Sequence, residues 1–193
     1  MARVREFDPE EVLDKAMRLF WHKGYAETSM RDLVSYTGVA HAGLYSVFGG
    51  KRALFQAVLK HYDNTVCGML FNGLELPGSG RPEIERFFET ILEAVKSNQF
   101  QDGCLMCNTA IEFGDESGDI QACVSANIER MTNAFRGALE RAKQRKEVAA
   151  ELDPRATAEF LVTTFHGIAV LARIKSSADR IERSVRFALK ELD

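Results

Sequence analysis

The chain has no apolar run long enough to cross a bilayer. Its longest, Phe160 to Ala172, is interrupted by Thr163, Thr164 and His166, and falls short of the ~20 residues that a membrane helix needs. Met1 to Glu6 lack an apolar stretch with a small-residue cleavage site, so a cytoplasmic setting with no membrane association is expected. Cysteine is scarce. Four in 193 residues, with no secretion signal, read as thiols rather than as a disulfide framework. Strand-like alternation and internal repeats are missing. So are G-x-S-x-G, a phosphate-loop pattern, H-E-x-x-H and any His-Asp-Ser order on a strand framework, so no enzyme and no cofactor are expected.

What is present is a globular composition: 46% hydrophobic and 27% charged residues, enough to bury the core of one ordinary domain or of a small domain fused to a larger one. The net charge of -3 is unevenly spread. Residues 1–60 hold 9 Lys and Arg against 7 Asp and Glu, and the remainder 16 against 21. From Lys15 to Lys60 there are 7 bases and only Glu27 and Asp32 as acids. A local basic surface is expected there, not a generally polyanion-binding protein.

Hydrophobic periodicity predicts an all-α chain of about nine helices. Asp8-Pro9-Glu10-Glu11 reads as a helix start, and Val12, Leu13, Ala16, Met17 and Phe20 as its buried stripe, with Gly24 as a left-handed stop. Ser29 and Asp32 have capping-box spacing for a short second helix ending near Thr37. Gly38 gives a tight turn into a third short helix through Phe48. Short helix, glycine turn, short helix is the helix-turn-helix pattern. A long fourth helix starts at Lys51 and extends toward Phe71. Further helices follow beyond the Leu76–Gly80 loop, the last two starting at Asp153-Pro154 and Ser177. A boundary is placed near Lys60, giving a helix-turn-helix unit at 1–60 and a larger helical unit at 61–193.

Gly24-Tyr25-Ala26-Glu27-Thr28-Ser29-Met30-Arg31-Asp32-Leu33-Val34, Thr37-Gly38-Val39, Gly43-Leu44-Tyr45-Ser46-Val47-Phe48, and Lys51 with Leu54-Phe55 together resemble the amino-terminal signature of the TetR family of transcriptional repressors. The signature spans the first third of the chain; the rest is similar in helix number and length. The resemblance implies a repressor that binds a double-stranded, pseudo-palindromic operator as a homodimer and leaves it when a small molecule binds.

In the helix-turn-helix, Leu33, Val39, Leu44 and Phe48 can form a small core. Tyr45 either packs or donates to a phosphate. Thr28 precedes the second helix, where a hydroxyl and free N–H groups can hold a phosphate, and the family pattern puts Lys51 on another. Between Ala40 and Phe48 there is no Arg, Lys, Asn or Gln, the side chains that read guanine or adenine edges in pairs of hydrogen bonds. Direct reading then falls to His41, Ala42, Ser46 and the close approach at Gly43. Arg31, or Arg3 and Arg5 in a minor-groove arm, can add to it, and DNA shape is expected to carry an unusual share of specificity.

In the larger unit, Phe71, Phe87, Phe88, Ile91, Met106, Phe113 and Met131 offer apolar surface for an inducer, with Asn108, Thr109, Glu112, Asn127 and His166 as orienting polar groups. The resemblance implies a four-helix dimer interface from the last two helices, assigned to Phe160, Thr164, Gly167, Leu171, Ile181, Val185 and Leu189. Cys104 and Cys107 have C-x-x-C spacing at an expected helix start, where the dipole favours thiolate. Three readings stay open for them: structural thiols, redox or electrophile sensing through Cys104, and metal binding completed by Cys67, Cys123, His61 or His166. A thiol-redox protein that does not bind DNA is the remaining alternative.

Overall fold

Side-chain caps decide where several helices begin. In the computed structural model, which describes residues 7–114 and 118–193, Asp8 accepts the N–H of Glu10 at 2.9 Å ahead of α1 (Pro9–Lys23). Ser29 and Asp32 make the expected reciprocal box ahead of α2 (Met30–Thr37), satisfying two donors that the helix leaves unpaired. Gly38, at φ 77° and ψ 6°, ends α2 in the left-handed conformation and turns the chain into α3 (His41–Phe48). Gly24 differs from expectation. Its φ of 88° comes with ψ of 166°, an extended positive-φ geometry that also favours glycine.

The fourth helix is longer than the periodicity suggested. α4 (Lys51–Tyr62) runs into a π-helical turn, Asp63–Cys67, and on into α5 (Gly68–Glu75) as one rod. α6 (Arg81–Lys96), α7 (Leu105–Phe113), α8 (Asp119–Gln144), α9 (Pro154–Arg173) and α10 (Ala178–Leu189) follow, with a closing 3-10 turn at Lys190–Leu192. Asp153 caps α9 as Asp8 caps α1, accepting from Arg155 and Ala156. With the rod counted once, the described residues form nine helices and no strand.

α1, α2 and α3 pack around the first half of the rod over Phe20, Leu33, Leu44, Phe55 and Val58, all at most 1% exposed. The second half packs with α6, α8, α9 and α10 around an aromatic centre. There the Phe87 ring lies 5.0 Å from Phe135 and 5.5 Å from Phe165, in edge-to-face contacts. No helix among the described residues is long and apolar enough to cross a membrane.

Candidate nucleic-acid interface

Leu33, Val39 and Leu44 are buried between α2 and α3 and Phe48 is half-buried, so α3 is held by its apolar face. Its other face is in solvent. His41, Ala42, Tyr45 and Ser46 are exposed there, with the His41 and Tyr45 rings stacked at 6.3 Å. Tyr45 is 59% exposed, which removes the packing alternative for it. Arg31 is exposed on α2. Lys51, in the first turn of α4, holds its Nζ 4.2 Å over the Tyr25 ring and 3.4 Å from the Ala26 carbonyl. Burial pulls its pKa below the usual lysine range, against the opposing pull of Glu112, Asp32 and Glu27.

Two expected contacts are corrected by the geometry. Thr28 is fully buried and donates its hydroxyl to the Gly24 carbonyl at 2.6 Å, so its side chain shapes the loop and does not face a phosphate. Gly43 faces inward: a Cβ there would sit 3.0 Å from Val39 Cγ1 and 3.2 Å from the Phe7 ring. Its missing side chain makes room for packing, not for DNA. Arg3 and Arg5 lie outside the described residues. The basic surface is narrower than the charge count implied, because Lys15 pairs with Glu11 and Lys23 with Asp32 at 2.8 Å. Lys23 and Ser29 hold the Asp32 carboxyl far below the usual range, so it stays anionic.

Glu112 is not a ligand contact in this arrangement. From the last turn of α7 its carboxylate accepts the backbone N–H groups of Tyr25 and Ala26 at 2.9 and 2.5 Å. Phe113 joins it, with its ring 5.1 Å from Tyr25 and stacked at 5.8 Å on Phe55. The other end of α7 is tied as well. Trp21 Nε1 donates to the Gly103 carbonyl, and Arg173 at the end of α9 donates to the carbonyls of Trp21 and Asp102. Nothing in the spacing of these residues marks them, because they meet only through the tertiary fold.

The remaining candidate ligand residues are dispersed. Phe71, Phe87, Phe88, Ile91 and Met131 are at most 4% exposed and pack as core. Thr109 donates back to Leu105, Asn108 to the Asp102 carbonyl, and Asn127 to the Asp63 carboxylate. His166 is half-buried beside Phe165, and burial pulls its pKa down. Met106 borders a groove between α4 and α8.

The expected thiolate at Cys104 is also corrected. Cys104 is the N-cap of α7, and the N–H groups of Cys107 and Met106 do favour the charged form. Burial outweighs them. The Tyr62 hydroxyl donates to Sγ at 3.7 Å and also favours thiolate, yet at 3% exposure desolvation prevails and the thiol is pushed up. Cys107 is half-buried and is also pushed up. Among the described residues no group of His, Cys, Asp or Glu is arranged to hold a metal.

On α9 and α10, Phe160, Thr164, Gly167 and Leu171 line a groove of about 490 Å³. Ile181 and Val185, expected at a dimer interface, are 0% and 2% exposed within the protomer, so they belong to its own core. Leu189 is half-buried. Besides the buried Ala188, the residues of α10 that line the groove are Arg180, Arg183, Ser184 and Phe187, the last 68% exposed. These four are one or two positions out of register with Ile181, Val185 and Leu189.

Residues 12–58 match the family model described as bacterial regulatory proteins, tetR family, and residues 80–188 match a tetracyclin repressor-like, C-terminal domain. An uncharacterised HTH-type transcriptional regulator of Bacillus subtilis, YezE, is 30% identical over the whole of both chains. The HTH-type transcriptional repressor ComR of Escherichia coli is 31% identical, covering 93% of this chain and 86% of its own. The TetR family regulator CifR, solved as a cysteine mutant complexed with 26bp double-strand operator DNA, superposes with a TM-score of 0.87 at 26% identity over the full length of both chains. With the helix-turn-helix at one end of the rod and the helical domain at the other, these matches place the chain in the TetR family of transcriptional regulators.

Proposed function

We propose that the protein is a ligand-responsive transcriptional repressor that binds a pseudo-palindromic operator as a homodimer and is released by a small molecule in its carboxy-terminal domain. The observation that carries the reading is the solvent face of α3, where His41, Ala42, Tyr45 and Ser46 stand free of the core that holds the helix. Tyr45 and Lys51 contact phosphates, while His41 and Ser46, with the Ala42 methyl and Arg31 beside them, meet base edges. The groove lined by Phe160 and Phe187 supports pairing of two protomers, and a two-fold dimer matches a two-fold site. The functional division stays near Lys60, within a rod shared by both parts. Selection of bound genomic fragments, followed by footprinting, tests it: two protected half-sites about one helical turn apart are expected. Full-affinity protection of a single half-site by a monomer would overturn it.

A second reading, release by thiol chemistry, draws on CifR having been solved as a cysteine mutant. Burial counts against Cys104 as the reacting group and leaves Cys107 as the more accessible thiol of the pair. Operator release by an alkylating reagent, compared in Cys104→Ser and Cys107→Ser, decides between them.

A further inference from the structure

Gln56, Lys60 and Asn64 succeed one another at four-residue spacing along the rod, which puts their side chains in one row of donors. Opposite them, Ala122, Cys123 and Ala126 form a strip of small side chains on α8. The two strips, with Met106 of α7, enclose a groove of about 520 Å³.

Its charges are unevenly satisfied. Asp63 on the π turn is held by Asn127 Nδ2 at 2.6 Å and by Arg130, which also grips Glu75 further along the rod. Asp119 lies in the first turn of α8, where the helix dipole offsets its charge. Lys60 has no hydrogen-bond or ion-pair partner among the described residues. Lys60 is the one basic side chain in the lining, flanked by two side-chain amides over Ala122, Cys123 and Ala126, with Asp63 engaged by Asn127 and Arg130 and Asp119 placed at the start of α8.

We propose that this groove is the inducer site and that it takes a small monocarboxylate with a flat apolar body. The carboxylate sits on the Lys60 ammonium, with the amides of Gln56 and Asn64 as further donors. The body lies on Ala122, Ala126 and Met106, where larger side chains would close the slot. This rests on the repressor reading above and adds the place and the chemistry of its signal. The position gives an occupant leverage. Past Gln56 and Asp119 the groove continues into a second of about 440 Å³ along Gly49 to Ala53, at the turn that joins α3 to the rod. An occupant pins the rod to α8 beside the π turn, where a helix bends most readily, and so shifts the orientation of Lys51 and α3.

The test uses the full chain with 2-naphthoate, and 2-naphthamide as the uncharged control. Calorimetry should show the acid binding at least tenfold tighter than the amide. The same concentration should slow alkylation of Cys123 by iodoacetamide, read by mass spectrometry, and should release the operator in a gel shift. Lys60→Met should abolish the preference for the acid, and Ala126→Leu should weaken both compounds. No binding at millimolar concentration, equal binding of acid and amide, an unchanged preference in Lys60→Met, or binding without operator release would each overturn the assignment. Operator binding without any compound separates the two claims. Its loss in the unmodified chain would sink the repressor reading, whereas intact binding indifferent to naphthoate sinks the groove alone.

Discussion

The Glu112 carboxylate accepts the Ala26 N–H at 2.5 Å, across 86 residues of sequence, and fastens α7 to the loop that leads into α2. With Tyr25 as the second donor it forms the direct polar link between the helical domain and the helix-turn-helix at this point. Any shift of α7 is therefore felt by the loop that sets the angle of α2.

Glu112→Ala should leave the fold intact and loosen this joint. Both hydrogen bonds are exposed, so the freed amides regain water and the cost to stability should be about 1 kcal/mol. Hydrogen exchange at Tyr25 and Ala26 should accelerate while the centre of α8 keeps its protection. Unchanged exchange at those two amides would show that the carboxylate does not hold them in solution.

Lys51 and His41 should fail in different ways. Lys51→Ala removes a phosphate contact, so it should weaken binding to operator and random DNA alike and lower the salt slope by about 1. His41→Ala should cost about 1–3 kcal/mol on the operator alone and relax preference at one or two base pairs. Parallel losses on both DNAs for both variants would refute this division of roles.

The buried thiols make stability fall in alkali. Burial pushes Cys67 and Cys104 up, so the folded chain keeps their protons where the unfolded chain releases them. Their contribution is whole below the unfolded thiol value of 9.0 and is lost as pH rises through that value toward the raised folded one. Urea unfolding at about pH 8 and about pH 10 should show this decline, and it should be smaller in a Cys67→Ala, Cys104→Ala chain. An equal decline in both proteins would remove burial as the cause.

The two faces of α10 should separate in sedimentation. Phe187→Glu places a charge on an exposed ring position and should give a folded monomer. Ile181→Glu places it where the side chain is 0% exposed, and should unfold the protomer instead. A dimeric Phe187→Glu protein would exclude that groove from the interface.

Much of the architecture was legible because its signals are local. Asp8, Ser29 and Asp153 cap helices within three residues of themselves, and the stripe from Val12 to Phe20 repeats within one helix. Thr28 and Gly43 were misassigned for the opposite reason. Whether a hydroxyl meets a phosphate or the Gly24 carbonyl, and whether a missing Cβ faces DNA or Phe7, depends on what packs against the residue. The stripe on α10 correctly marked buried positions, but periodicity does not tell a protomer's own core from a surface between protomers.

The sequence by itself determined the helices, their order and the helix-turn-helix, since these follow from spacing, capping and glycine turns along the chain. Only the tertiary structure decided the state of the cysteines, the latch at Glu112 and the groove beside Lys60. Cys104 shows why. Its place at a helix start is a local fact that favours thiolate, as does the Tyr62 hydroxyl, but the surrounding helices bury the sulfur and that desolvation outweighs both.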